Sequence, residues 1–138
     1  MSRSVIPKNS QADALDALTA AMGLFAGGEV RLYTNAIVLD SDVALTDLTE
    51  ATFDGYMEKP VGTWFPAALA EDGYVSVEAP GVQFVATGTT KPETVQGYYL
   101  TDMAGTKLLA VWALDAPIAM GVDLLIAVMV RPRIAFAA

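Results

Sequence analysis

The sequence predicts an all-β fold, a sandwich or barrel of short strands led by one helix. Three observations predict it. After residue 28 the apolar period is two rather than 3.6. Glycine and proline punctuate the chain at short intervals, as in Pro80-Gly81 and Lys91-Pro92. One segment, TVQGYYLTDMAGTKLLAVWAL, reads as two strands around a turn.

The elements follow in chain order. Residues 1–9 have no period and contain Pro7, which predicts an extended arm. Residues 10–138 then form a single domain, an ordinary size for one core. Ser10 and Asp13 fit an S-x-x-D capping box, and Leu15, Leu18, Met22 and Phe25 recur at spacings of three and four. A helix over about 10–23 follows, closed by Gly23, Gly27 and Gly28. In EVRLYTN, Val30, Leu32 and Thr34 share one strand face, with Arg31, Tyr33 and Asn35 on the other. Residues 36–39 continue this strand or begin its partner. The acidic stretch Asp40 to Glu50 reads as a long loop with room for one helical turn. Thr52 to Thr63 is strand-like but broken by Gly55, Pro60 and Gly62. Tyr74, Ser76 and Glu78 alternate with Val75 and Val77, and Val82, Phe84 and Ala86 share a face.

The hairpin is expected over Val95–Thr101 and Thr106–Leu114, with Gly105 free to take a positive φ in the turn. Trp112 shares a face with Ala110 and Leu114 and reads as core. Of Tyr98 and Tyr99, one should be core and the other free for contact. The chain finishes in LLIAVMVRPRIAFAA, whose only charges are Arg131 and Arg133. A central strand with Leu124, Ile126, Val128 and Val130 on one face and Leu125, Ala127 and Met129 on the other is expected. Pro132 cannot donate to a ladder, so it marks a bulge, bend or edge.

Composition limits the function classes. Sixteen acidic against eight basic residues give a net charge of −8, which argues against nucleic acid and anionic membrane surfaces as partners. The apolar run from Leu124 to Val130 is far short of the roughly 20 residues a span needs. The N-terminus does not read as a signal peptide. Hydrophobic residues make up 54% and charged residues 17%, a surplus of apolar surface that a partner or a second copy would cover. Acids crowd the middle, and the bases Arg3, Lys8, Arg131 and Arg133 lie toward the ends, a distribution that suits pairing between neighbouring copies as well as ordinary solvation.

Chemistry is scarce. The chain has no histidine and no cysteine, so the usual general base and the usual zinc and iron–sulfur ligands are missing. No serine sits in G-x-S-x-G. Paired carboxylates are expected by chance in so acidic a chain and carry no glycosidase signal by themselves. Asp40-Ser-Asp42 starts like a calcium loop, but Ala44 and Leu45 occupy positions that need a ligand and a glycine. A solvated acidic loop is the simpler reading, and an irregular calcium site the alternative. Gly27-Gly28 precedes a strand, not a helix, so it is no phosphate cradle. No cofactor and no metal is expected, and no enzyme.

The wording of two stretches carries a resemblance. R-L-Y-T-N falls at Arg31 to Asn35, D-x-T-E-A-T-F-x-G-Y at Asp47 to Tyr56, and V-x-G-Y-Y-x-T-D-x-A-G-x-x-L at Val95 to Leu108. The pattern resembles small virion proteins of tailed bacteriophages and covers about residues 29–114. Such proteins resemble single jelly-roll domains that decorate or cement capsids. The resemblance implies a jelly-roll-like sandwich on the capsid surface of a virion, forming a homotrimer and bound to the major capsid protein. Contacts with such partners are expected from Val5, Ile6 and Pro7 in the arm, Leu125 and Met129 on the second face of the tail strand, and Arg131 and Arg133 beside it. The alternative readings are a loose terminus for the arm and ordinary edge charges for the arginines. A recognition module on a tail fibre or head surface, binding host glycan, is the alternative, with Tyr33 and Tyr56 as its exposed aromatics.

Overall fold

The computed structural model describes residues 27–40, 42–65, 68–69, 74–122 and 126–137. The predicted arm and helix lie outside them. The described chain is all-β, with nine strands: β1 Glu29–Tyr33, β2 Lys59–Pro60, β3 Ala68–Leu69, β4 Tyr74–Glu78, β5 Val82–Val85, β6 Glu93–Thr101, β7 Leu108–Met120, β8 Ala127–Val130 and β9 Arg133–Ala137. A single 3₁₀ turn, Leu45–Asp47, interrupts the acidic loop. All ladders are antiparallel, in sheets ordered β2-β1-β6-β7, β3-β4-β9 and β5-β8.

The hairpin forms as its sequence directs. Gly105 takes φ +72°, and the Asp102 carboxylate accepts the backbone N–H groups of Thr106 and Lys107 at 2.8 and 3.2 Å. That local bonding fixes the turn and so the register. The second strand runs further than its alternation indicates, to Met120. It does so through a bulge in which Leu114 to Pro117 stand opposite Gln96 alone, between the pairs Gly97↔Ala113 and Val95↔Ile118.

The apolar tail buries itself against residues 74–86 of its own chain. β4 followed by β5 pairs with β9 followed by β8 as one bent ribbon. At the bend three residues, Ala79 to Gly81, lie opposite two, Arg131 and Pro132. Each side has a proline there, so neither can complete the ladder. Pro132 is fully buried, and its carbonyl accepts the Ala79 N–H at 2.9 Å. The expected alternation holds along the described part. Val128 and Val130 are buried, Ile126 packs on the core, and Ala127 and Met129 are exposed. β8 is not a central strand, however, since β5 is its only partner among the described residues.

The core lies between the four-stranded sheet and this ribbon. Val30, Leu32, Tyr98, Leu100 and Val95 meet Val82, Phe84, Ala86, Val128 and Val130, with Phe53, Val61 and Met120 closing the edges. Full burial of each aliphatic or aromatic side chain contributes about 1.5–3 kcal/mol. Thr52 to Thr63, strand-like by sequence, pairs as a strand only at Lys59–Pro60.

Two rings tie the layers at the bend. Tyr98 stacks on Trp112 with centroids 4.8 Å apart. The Tyr98 hydroxyl donates to the Arg131 carbonyl at 3.0 Å, and Trp112 Nε1 donates to the Arg133 carbonyl at 2.9 Å. The carbonyls on either side of Pro132 are thereby satisfied by side chains from the opposite sheet.

Candidate functional site

The densest polar arrangement sits on the second face of β1 and β6, built by the three motif stretches together. The strand period puts Glu29, Arg31 and Tyr33 on that face, beside Thr101, Tyr99 and Gly97. The segment Thr49 to Ala51 then runs along the free edge of β1. Thr34 N–H donates to the Thr49 carbonyl and Ala51 N–H to the Leu32 carbonyl, which brings Glu50 beside Tyr33.

Glu50 is the hub. Arg31 Nη1 reaches its two oxygens at 3.1 and 3.0 Å, and the Tyr56 hydroxyl donates to Oε2 at 2.6 Å. Arg31 Nη2 holds Glu29 at 2.8 Å, and Nε points to the Thr101 hydroxyl at 3.3 Å. Tyr56 also accepts the Leu32 N–H at 3.2 Å, so a side chain stands in for the strand that β1 lacks there. Its ring stacks on Phe84 and meets Phe53 edge-on, 5.8 and 5.4 Å between centroids.

The electrostatics follow from this half-dry setting. Burial alone would lower the Arg31 pKa, but the charges of Glu50, Glu58 and Glu29 and the hydrogen bond to Glu50 outweigh it and raise it. Burial pushes the Tyr56 phenol well above its ordinary value, and donation to Glu50 adds to that. Tyr99 is pushed up to about 12, by burial first and then by Glu50, with Arg31 opposing. The guanidinium and both phenols are thus held in their ordinary forms, Arg31 charged and Tyr56 and Tyr99 protonated. The arrangement is a clamp that fixes 49–56 to the sheet.

Gly97 belongs to the same construction. It lies directly opposite Tyr33, and a Cβ there would run into the Tyr33 ring and the Trp112 carbonyl. The bare backbone lets Tyr33 lie across the strand, with Tyr99 6.4 Å away centroid to centroid. Tyr33 is accordingly 2% exposed and Tyr99 3%. Tyr33 is therefore no exposed platform for a sugar. Tyr56 is partly buried with its hydroxyl committed, and neither Tyr98 nor Tyr99 is a free contact residue.

No protein-family model, curated protein or solved structure matches this chain.

The expected partner contacts separate in space. Val5, Ile6, Pro7 and Leu125 lie outside the described residues. Met129 is 52% exposed and rests over Gly81. Arg131 is exposed on the same side of the ribbon's bend. Arg133 pairs across the strands with Glu78, Nε to Oε1 3.5 Å. The acidic loop forms a hollow of about 410 Å³ lined by Ile37, Val38, Val43, Asp40, Asp42 and Asp47. Asp40 and Asp47 accept the backbone N–H groups of Asp42 and Ala44, each at 2.9 Å. Among the described residues no cluster of three or more candidate ligands is set to hold a metal ion, and no helix is long and apolar enough to cross a membrane.

The sequence alone places Arg31 on the strand face opposite Val30 and Leu32, Glu50 in the acidic loop and Tyr56 among exposed aromatics, with nothing to join them. The signal that finds them is their company: each falls inside one of the three motif stretches, and the fold brings those stretches into a single cluster.

Proposed function

We propose that the protein is a structural virion component that decorates or cements the outside of a tailed-phage head. It acts as a homotrimer of jelly-roll-like domains bound to the major capsid protein, and its role needs no catalysis. The observation that carries this reading is where the shared wording falls. The residues that resemble small virion proteins are the clamp, the Tyr33–Gly97 crossing and the Asp102 turn, which are devices for rigidity. A cement protein needs such a scaffold and exposed apolar positions for its neighbours. Met129 at 52% and Val38 at 83% exposure are of that kind. Repeated many times over a shell, modest contacts sum through multivalency to oppose internal pressure. A glycan-binding module is less well supported, because Tyr33 is buried and Tyr56 is engaged.

The test is rebinding. Purified protein added to heads stripped of it should restore their resistance to heat or chelator, and mass spectrometry of intact particles should find it in a ratio comparable with the major capsid protein. Failure to bind stripped heads, or a copy number fitting only the tail, refutes the proposal.

A further inference from the structure

Asp54 and Gly55 form the centre of a tight turn. The Tyr56 N–H donates to the Phe53 carbonyl at 2.9 Å, and Gly55 takes φ +88°. A positive φ at the third position marks a type II turn. An Asp-Gly pair carries a chemical hazard, because glycine has no side chain to hinder attack by its nitrogen on the carboxyl before it. Gly55 is exposed, and its N–H has no acceptor among the described residues. The nucleophile is free, so whatever restrains the pair acts on Asp54.

Residues 87–90 hold Asp54 at both ends. The Thr87 N–H donates to the Asp54 carbonyl at 2.8 Å, which pins the plane of the peptide between Asp54 and Gly55. Asp54 Oδ2 accepts the Thr90 hydroxyl at 2.5 Å and the Thr90 N–H at 2.9 Å. Gly88 leaves room for this, since a Cβ there would lie 2.6 Å from Oδ2. The two Thr90 bonds, the hydroxyl's first, hold the carboxyl below its ordinary pKa, and an ionised carboxylate offers no good leaving group. A type II turn also sets Asp54 ψ at about +120°, with the Gly55 nitrogen turned away from Cβ. Ring closure needs that nitrogen on the Cβ side, a rotation of about 120° that the Thr87 bond opposes.

We propose that Asp54-Gly55 is a latent isoaspartate site, held shut by residues 87–90. When the ties open, the Gly55 nitrogen bonds to Cγ of the protonated carboxyl, and its proton leaves with the carboxyl hydroxyl as water. The cyclic imide then takes up one water. Opening at the former side-chain carbonyl restores aspartate. Opening at the former main-chain carbonyl routes the chain through Cβ and lengthens it by one carbon between Phe53 and Tyr56. That lengthening draws Tyr56 away from Glu50 and the Leu32 N–H, so residues 87–90 guard the clamp against chemical ageing. None of this depends on the virion role.

Folded protein and protein unfolded in urea are held for weeks at neutral pH and body temperature. Isoaspartate at residue 54 is followed by peptide mapping with isoaspartyl methyltransferase labelling. The folded chain should convert at least about tenfold more slowly, because both ties must open first. Thr90→Val keeps the N–H, loses the hydroxyl and should speed conversion of the folded protein about fivefold, whereas Thr90→Ser should match the parent. Gly88→Ala pushes the carboxylate out by its Cβ and should speed conversion too, so it decides the matter if T90V folds poorly. Equal rates folded and unfolded, a folded T90V that converts no faster, or T90S as fast as T90V overturns the proposal. So does a T90V effect that appears equally at Asp72-Gly73, which would mark general loosening.

Discussion

Replacing Tyr56 with Phe isolates what the clamp contributes, because the ring and its packing on Phe53 and Phe84 remain while one oxygen leaves. That oxygen donates to Glu50 at 2.6 Å and accepts the Leu32 N–H at 3.2 Å. A hydrogen bond to a charged acceptor is worth about 1.5–3 kcal/mol, and an orphaned, largely buried N–H costs about 1–3 kcal/mol. The two losses do not add fully, since Arg31 still holds Glu50 and water can reach the half-exposed side. A net destabilisation of about 2–3 kcal/mol is expected. With a urea slope of about 2 kcal/mol/M, the unfolding midpoint should fall by about 1–1.5 M. The same measurement on Glu50→Gln and on the double variant closes a cycle, whose coupling should exceed about 0.5 kcal/mol. A midpoint shift below about 0.3 M with no coupling would refute the clamp and make Tyr56 an ordinary packing residue.

Gly97→Ala should cost about 3 kcal/mol, because its Cβ meets both the Tyr33 ring and the Trp112 carbonyl. Thermal unfolding should drop by about 6–12 °C, and a change under 2 °C would show that the two strands part easily. Alkali should act through the phenols. Burial raises the pKa of Tyr33, Tyr56, Tyr98 and Tyr99, so above about pH 10, where unfolded tyrosine ionises, the native state keeps protons that the unfolded state has lost. Stability should be intact below that pH and fall as pH rises toward 12. The phenolate absorbance of these four of the five tyrosines should appear together with unfolding, and ionisation of more than one tyrosine near pH 10 in a still-folded protein would contradict the burial. Met129→Asp should leave folding unchanged within about 0.5 kcal/mol, since the side chain is half exposed. If the ribbon face meets a neighbouring subunit, the variant should form smaller assemblies by light scattering, and an unchanged assembly would place that contact elsewhere.

Local chemistry explains what was legible beforehand. The hairpin could be read because its alternation and its Asp102–Gly105 turn act within a few residues of each other. The burial of Val128 and Val130 and the break at Pro132 could be read for the same reason. The extension of β7 was hidden, since Asp115 and Pro117 look like a stop until Gln96 is seen facing all four bulge residues. Thr52 to Thr63 misled in the other direction. Its alternation is strand-like, yet its backbone bonds scatter among partners: Glu93 Oε1 takes the Thr52 N–H at 2.5 Å, the Phe53 carbonyl takes the Tyr56 N–H, and the Asp54 carbonyl takes the Thr87 N–H.

The sequence by itself determined an all-β fold class, the place of its clearest turn, the faces of its tail strand and the lack of histidine and cysteine. All of these depend on period, on proline and glycine, or on which residue types are present. The tertiary structure alone decided that Arg31 and Glu50, nineteen positions apart, share a bond, that Tyr56 completes the edge of β1, and that Tyr33 is buried over Gly97 rather than open to a ligand. Those outcomes depend on which segments the fold brings side by side, and a side chain's surroundings exist only once they have met.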